Sequence, residues 1–259
     1  MSRCHDERDA GETVTPAGVL VGRTAVVTGA SSGIGEATAR LLHGRGCNVV
    51  LAAHREERLR SLAAELGDNA LPVATDITDP DACAALITSA IEHFGALDVL
   101  VNNAGLGIYA SIPEADPVDW QTTFEVNVLG TLYATRAAVR HMLEWGSGHV
   151  VFVSSLAGRR VPRPDRTVYA ATKHAITAVA QGLRMDVGAK GIRVTTVEPG
   201  LVRTEFPEST YPSAEEFYAK RTYEPLEAED VAAAVLYAVE QPPYVGVDKI
   251  LLRPSRQPK

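Results

Sequence analysis

A chain of 259 residues, 46% hydrophobic and 22% charged, can fill one α/β domain around a sizeable core and lies far from disordered or fibrous compositions. Its formal charge of -7 excludes a general role on nucleic acid or an anionic membrane, since both would repel it at long range. Three widely spaced cysteines, Cys4, Cys47 and Cys83, offer neither a disulfide framework nor a metal cluster and point to a reducing cytoplasm.

The first 18 residues, MSRCHDERDAGETVTPAG, are too acidic and polar for a signal peptide and show no periodicity. A mobile N-terminal tail is expected over 1–18, with the folded domain over 19–259. No apolar run approaches the roughly 20 residues of a membrane helix, so no membrane partner is expected. From Val19 onward, β-branched runs at 24–28, 48–52, 71–75, 99–102, 149–153, 193–198 and 249–252 alternate with amphipathic segments. Those segments lie at 34–43, 56–66, 80–94, 118–145 (long enough to be broken), 169–189 and 229–240, and Gly44 and Gly95 mark helix ends. Apolar strands alternating with helices predict an α/β fold: a single-domain, Rossmann-type doubly wound sheet of seven mostly parallel strands flanked by helices. The one long irregular stretch, 201–226, carries Pro207, Pro212 and Pro225 with Phe206, Tyr211, Phe217, Tyr218 and Tyr223. Such a connection inside a compact domain is expected to be an active-site lid.

The first strand runs into Thr28-Gly29-Ala30-Ser31-Ser32-Gly33-Ile34-Gly35 and then directly into a helix, the context of a dinucleotide-binding turn. Glycines there allow a tight turn and a close approach of backbone to a pyrophosphate, while the helix N-terminus presents unpaired N–H groups to the anion. The second strand ends in Ala52-Ala53-His54-Arg55, where NAD-preferring domains place a carboxylate for the ribose hydroxyls. With Ala53 in that place nothing repels a 2′-phosphate, and His54 and Arg55 can attract it, so NADP is expected in preference to NAD.

The glycine spacing G-x-x-x-G-x-G, the segment Asn102-Asn103-Ala104-Gly105, the serines Ser154-Ser155 after the fifth strand and Tyr169-x-x-x-Lys173 together resemble the short-chain dehydrogenase/reductase family, from about Val21 to Gln257. Tyr169 and Lys173, four apart on a helix, share a face, so an ammonium can lie near a phenol whose reference pKa is about 10. The resemblance implies that Ser155, three residues before Gly158, is the catalytic hydroxyl and Ser154 structural. It implies that Tyr169 transfers the proton, that Lys173 holds the nicotinamide ribose and lowers the Tyr169 pKa, and that Asn127 reaches Lys173 through water. It also assigns cofactor contacts to Gly29, Ser31, Ser32, Gly33, Ile34 and Gly35, to Asp76 beside the adenine, and to Asn103, Ala104 and Gly105. Further contacts fall on Pro199, Gly200, Val202 and Thr204 of the P-G-x-x-x-T segment, with Thr204 on the nicotinamide carboxamide. His54 departs from the Arg that many NADP-preferring members carry, and Asp76 alternatively caps its own turn.

Between Ser155 and Tyr169, Arg159, Arg160, Arg163 and Arg166 form a basic run in an otherwise acidic chain. At least one is a candidate receiver of a carboxylate or phosphate; a solvated or subunit-contacting loop is the alternative. The C-terminal pattern, Glu229-Asp230-Val231 followed by Val247 to Pro254, is similar to the branch holding 3-hydroxy acid and serine 3-dehydrogenases and clavulanic-aldehyde-type reductases. The expected activity is therefore NADP-dependent hydride transfer between nicotinamide and a small carbonyl or alcohol substrate, without a metal. A 3-ketoacyl thioester reductase is the alternative of the same class, and a catalytically idle NADP-binding regulator the alternative of another. The family resemblance implies a homo-oligomer, tetramer or dimer.

Overall fold

Seven runs of mostly β-branched and small apolar residues become strands: β1 (Thr24–Thr28), β2 (Asn48–Ala53), β3 (Ala70–Ala74), β4 (Val99–Asn102), β5 (Gly148–Val153), β6 (Ile192–Pro199) and β7 (Lys249–Leu252). The computed structural model describes residues 20–206, 213–219 and 222–257; the expected tail over 1–18, and Pro207, Tyr211 and Pro212 of the expected lid, lie outside the described residues. The strands join one sheet in the order β3-β2-β1-β4-β5-β6-β7, with every neighbouring pair parallel. Strand positions match the sequence reading to within a residue or two: β3 begins and ends one residue early, and β6 extends one residue at each end.

Alternation along the strands feeds two cores, because successive side chains point to opposite faces. Ala25 and Val27 of β1 pack with Ala39 and Leu42, Leu59 and Leu62, and Val231 and Val235 from helices α1 (Gly33–His43), α2 (Glu56–Leu66) and α8 (Ala228–Val239). Val26 faces the other way, toward Leu86, Ala138 and Ile176 from α3 (Pro80–Phe94), α5 (Thr131–Trp145) and α6 (Thr167–Val187). The chain winds outward through β2 and β3, then returns to pair β4 on the far side of β1. At such a reversal the loops leaving the two strands diverge and open a crevice at their carboxyl ends.

Two segments differ from their sequence expectation. The predicted helix over 118–145 is one rod, but it consists of α4 (Pro117–Phe124), a π-helical turn over Glu125–Gly130 and α5, so it is distorted without being broken. Within the described part of 201–226 the chain is not structureless: α7 (Ala214–Ala219) forms there, and Val202 bridges Leu226.

His149 of β5 is 2% exposed, and its Nε2 lies 2.8 Å from Thr195 Oγ1 on β6. Burial, helped by the charge of Arg193, pushes its pKa down to about 3. The folded protein therefore refuses a proton that the unfolded chain accepts below pH about 6.5, so stability is lost as pH falls from about 6.5 toward 3. Denaturant unfolding at pH 6.5 and 5 should show a loss of about 1.6 kcal/mol from this group, and His149→Gln should flatten that slope. An unchanged slope would remove His149 from the account.

Candidate active site

The crevice begins at the end of β1. Thr28 Oγ1 accepts hydrogen bonds from the backbone N–H groups of Asn103 and Ala104, both at 3.0 Å, and donates to the Val101 carbonyl at 3.3 Å. The Asn103 amide donates back to the carbonyls of Thr28 and Gly29, at 3.0 and 3.3 Å. Gly29 turns the chain with φ +67°, and a Cβ at Gly35 would come within 2.5 Å of the Asn103 amide nitrogen, so only glycine fits between the turn and this brace. Helix α1 then starts at Gly33 after the N-cap residue Ser32, whose side chain makes no capping hydrogen bond, and Ser32, Gly33 and Ile34 line the crevice. The first N–H groups of α1 thus remain available to an anion.

At the end of β2, Arg55 reaches across this turn: Nε donates to Ser31 Oγ at 3.0 Å and Nη2 to Ser32 Oγ at 2.5 Å. Its Nη1 donates to Glu205 at 2.9 Å, which Arg58 also meets. His54 Nε2 stands 3.5 Å from Asp76. Asp76 also accepts from the N–H and hydroxyl of Thr78, and these hydrogen bonds, ahead of His54, hold its carboxyl below the usual range. Its turn-capping role is therefore present.

At the other end, the π-turn carries Asn127, 1% exposed, toward the loop after β4. Its Oδ1 accepts from Leu106 N–H at 2.8 Å, and its Nδ2 donates to the Leu106 carbonyl at 2.8 Å and to Thr172 Oγ1 at 3.1 Å. Thr172 neighbours Lys173, whose ammonium donates to the Val153 carbonyl at 3.2 Å and whose pKa burial lowers to about 8. A Cβ at Gly105 would lie 3.2 Å from Asn127 Oδ1 and 3.6 Å from Lys173 Nζ, so that glycine opens the space beside both.

Ser155 follows β5, and its Oγ accepts from Ala157 N–H at 3.1 Å in a 3-10 turn over Leu156–Gly158. It also hydrogen-bonds Tyr169. Ser154 instead faces inward, its hydroxyl donating to the Lys173 carbonyl at 3.2 Å. Burial raises the Tyr169 pKa, opposed first by the Ser155 hydrogen bond and then by the charge of Arg166. This corrects the expected cause: the charge acting on the phenol comes from Arg166, while Lys173 Nζ lies 5.7 Å from the Tyr169 ring centre and turns to the Val153 carbonyl.

An aromatic wall closes this end. Tyr109 stands edge-on to Tyr169 with ring centres 5.6 Å apart, and Phe206 lies 5.8 Å from Tyr169. The Arg166 guanidinium stacks 3.4 Å over Tyr109 and 5.6 Å from Phe217 of α7. Its side chain is 13% exposed, and its Nε, 3.9 Å from Asp165, has no hydrogen-bond partner among the described residues.

These groups border one cleft of about 780 Å³, from His54 and Arg55 to Tyr169 and Arg166. Of the expected site residues, Gly29, Ser31, Ser32, Gly33, Ile34, His54, Arg55, Asn103, Ala104, Gly105, Ser155, Tyr169, Lys173, Pro199, Gly200, Val202 and Thr204 line it. Gly35, Asp76 and Asn127 stand behind or beside it rather than in its lining. Tyr109 and Glu205 were missed: Tyr109 lies in an irregular stretch without a motif, and Glu205 directly follows Thr204 but belongs to no spacing rule. Among the described residues no group of His, Cys, Asp or Glu could hold a metal ion, and no helix is long and apolar enough to cross a membrane.

Asn127→Ala would strip both backbone groups of Leu106 and the Thr172 hydroxyl of a partner. We expect it to lower stability by about 2–3 kcal/mol in denaturant unfolding and to cut turnover as the loop after β4 loosens. Wild-type stability in that variant would show that the brace is dispensable.

Against known proteins, residues 23–214 match the family model described as short chain dehydrogenase. An uncharacterized oxidoreductase of Staphylococcus aureus (strain USA300) is 39% identical over 237 residues, covering 91% of this chain and 99% of that protein. One from Staphylococcus epidermidis is 37% identical over 232 residues, covering 90% and 97%. Among solved structures, the closed form of serine dehydrogenase complexed with NADP+ superposes with a TM-score of 0.86 at 33% identity, covering 91% of this chain and 96% of that one. The alcohol dehydrogenase of the archaeon Thermococcus sibiricus, complexed with 5-hydroxy-NADP, gives 0.81 at 28% identity, covering 92% and 98%. The glycine turn, the shared cleft and these matches over nine-tenths of the chain lead to one conclusion: this protein belongs to the short-chain dehydrogenase/reductase family and is an oxidoreductase.

Proposed function

We propose that the chain is an NADP-dependent dehydrogenase/reductase that transfers hydride between nicotinamide and a small carbonyl or alcohol, with Ser155, Tyr169 and Lys173 as its catalytic residues. The observation that carries this reading is the hydrogen-bonded Ser155–Tyr169 pair, with buried Lys173 one turn further along α6, at the inner end of a cleft whose outer end is a glycine-only turn flanked by Arg55. The residues present fit a dinucleotide. The turn from Gly29 to Gly33 and the α1 N-terminus would hold the pyrophosphate, His54 and Arg55 the 2′-phosphate, and Tyr169 and Lys173 the nicotinamide ribose. At the end of β2, Ala53 stands where NAD-preferring domains carry a carboxylate. Two structural relatives solved with NADP+ or 5-hydroxy-NADP support the same choice.

The bound cofactor would supply or accept the hydride; the chain's part is at the oxygen. In reduction, the Ser155 hydroxyl donates to the carbonyl oxygen and polarises it, and Tyr169 delivers its proton as negative charge develops there. The raised Tyr169 pKa keeps the phenol protonated near neutrality, as a proton donor requires. The charge of Arg166 stabilises the phenolate left behind, while the Lys173 ammonium, largely protonated with a pKa of about 8, would hold the nicotinamide ribose. Oxidation reverses these steps. Tyr109, Phe206 and Phe217 give the substrate end an aromatic wall.

The basic loop resolves into different tasks. Arg159 pairs with buried Glu198 and Arg163 with Asp165; Arg160, Arg163 and Arg166 all line the cleft, and Arg166, stacked on Tyr109, carries a buried Nε with no hydrogen-bond partner among the described residues. We assign Arg166 to a substrate carboxylate, in keeping with the 3-hydroxy acid branch that the C-terminal pattern resembles. The homo-oligomer implied by the family belongs to the same reading, supported by exposed Val118, Phe124 and Leu129 along α4 and the π-turn. So does a reducing cytoplasm, supported by unpaired, buried Cys47 and Cys83.

Tyr169→Phe should cut turnover by about 10³-fold while NADP+ affinity by titration calorimetry changes by less than about fivefold. Turnover within about tenfold of wild type would remove Tyr169 as proton donor. Arg166→Gln should raise the KM of a 3-hydroxy acid by about tenfold or more relative to its methyl ester. An equal effect on acid and ester would reject carboxylate recognition by Arg166.

A further inference from the structure

Glu205 is the acidic residue that the site needs least under the reading above. It follows Thr204 and precedes Phe206 on the loop after β6, yet its carboxylate crosses to the other end of the cleft and meets two arginines at the start of α2. Arg55 Nη1 donates to Oε2 at 2.9 Å, and Arg58 Nη1 donates to Oε1 and Oε2 at 2.9 and 2.8 Å. Arg55 is also anchored on Ser31 and Ser32 of the glycine turn, so this carboxylate lies beside the turn that defines the cofactor end. Although partial burial works against it, hydrogen bonds from both arginines hold the Glu205 carboxyl below its usual pKa, so it is an anion at neutral pH.

We infer that Glu205 is an internal stand-in for the 2′-phosphate: its carboxylate occupies the Arg55–Arg58 site, the phosphate must displace it, and the residue thereby sets how far NADP is favoured over NAD. The inference rests on the reading of Arg55 as the phosphate partner. Guanidinium groups bind carboxylate and phosphate oxygens through the same forked donors, so one anion can replace the other. A nucleotide without a 2′-phosphate has no group to make that exchange and leaves the pair in place. Displacement is cheap enough to occur, because Glu205, Arg55 and Arg58 are 43, 46 and 49% exposed and exposed ion pairs are individually weak. The opposite role is equally definite: a Glu205 that merely orients Arg55 for the phosphate would help NADP bind. The two roles predict effects of opposite sign.

Titration calorimetry on the full chain at low salt distinguishes them, using adenosine 2′,5′-bisphosphate against 5′-AMP and NADP+ against NAD+. Glu205→Gln should bind the bisphosphate and NADP+ about five- to tenfold more tightly than wild type, with 5′-AMP and NAD+ changed by less than about twofold. Glu205→Ala should move in the same direction, and 0.5 M salt should shrink the gain by screening. Weaker or unchanged binding of the bisphosphate by both variants overturns the inference. The NADP reading is decided separately: wild type and Arg55→Ala would then both bind the bisphosphate no better than 5′-AMP, whatever Glu205 does.

Discussion

The close approach of β1 and β4 at their carboxyl ends is the constraint on which the site depends. Two parallel strands that belong to opposite windings of the chain must be clamped where their loops part, and Thr28 and Asn103 do this with reciprocal hydrogen bonds. The clamp leaves no room for a Cβ at Gly29 or Gly35, which fixes both the sharp turn and the entry angle of α1. Nothing about that geometry is specific to chemistry. It nevertheless creates an uncapped helix end open to an anion and, across the same crevice, a place for groups carried on β5 and α6.

The proposed catalytic end is built by a second distortion. A regular helix through 117–145 would have no π-turn at Asn127, and the inserted residue lets its amide satisfy both backbone groups of Leu106. That bond pair shapes the loop after β4, and the Thr172 contact ties it to the helix that carries Tyr169 and Lys173. Burial then acts on the two groups in opposite senses, raising the phenol and lowering the ammonium, as desolvation must for an acid that becomes negative and a base that is positive.

The sheet was legible because each strand carries a continuous apolar run and each helix a bounded amphipathic one; the order β3-β2-β1-β4-β5-β6-β7 was not read from the sequence, because no local run encodes which strands become neighbours. Motif residues were legible where spacing encodes geometry, as in the glycine turn and Tyr169-x-x-x-Lys173. The π-turn was not, since local sequence preference hardly separates it from an α-helix. Nor was the Arg166–Tyr109 stack, which joins residues 57 positions apart with no periodic relation. Glu205 escaped for a further reason: its partners Arg55 and Arg58 lie some 150 residues away, so the three become neighbours only after the sheet has folded.

The central claim is that a hydride moves directly between nicotinamide and substrate carbon while Tyr169 handles the proton at oxygen. Its most direct test is to reduce a 3-oxo acid with NADPH deuterated at either face of nicotinamide C4 and to read the product by NMR. The account predicts that one of the two labelled cofactors delivers its deuterium fully to the carbinol carbon and the other delivers none. Deuterium lost to solvent, or product formed with neither label, would contradict it.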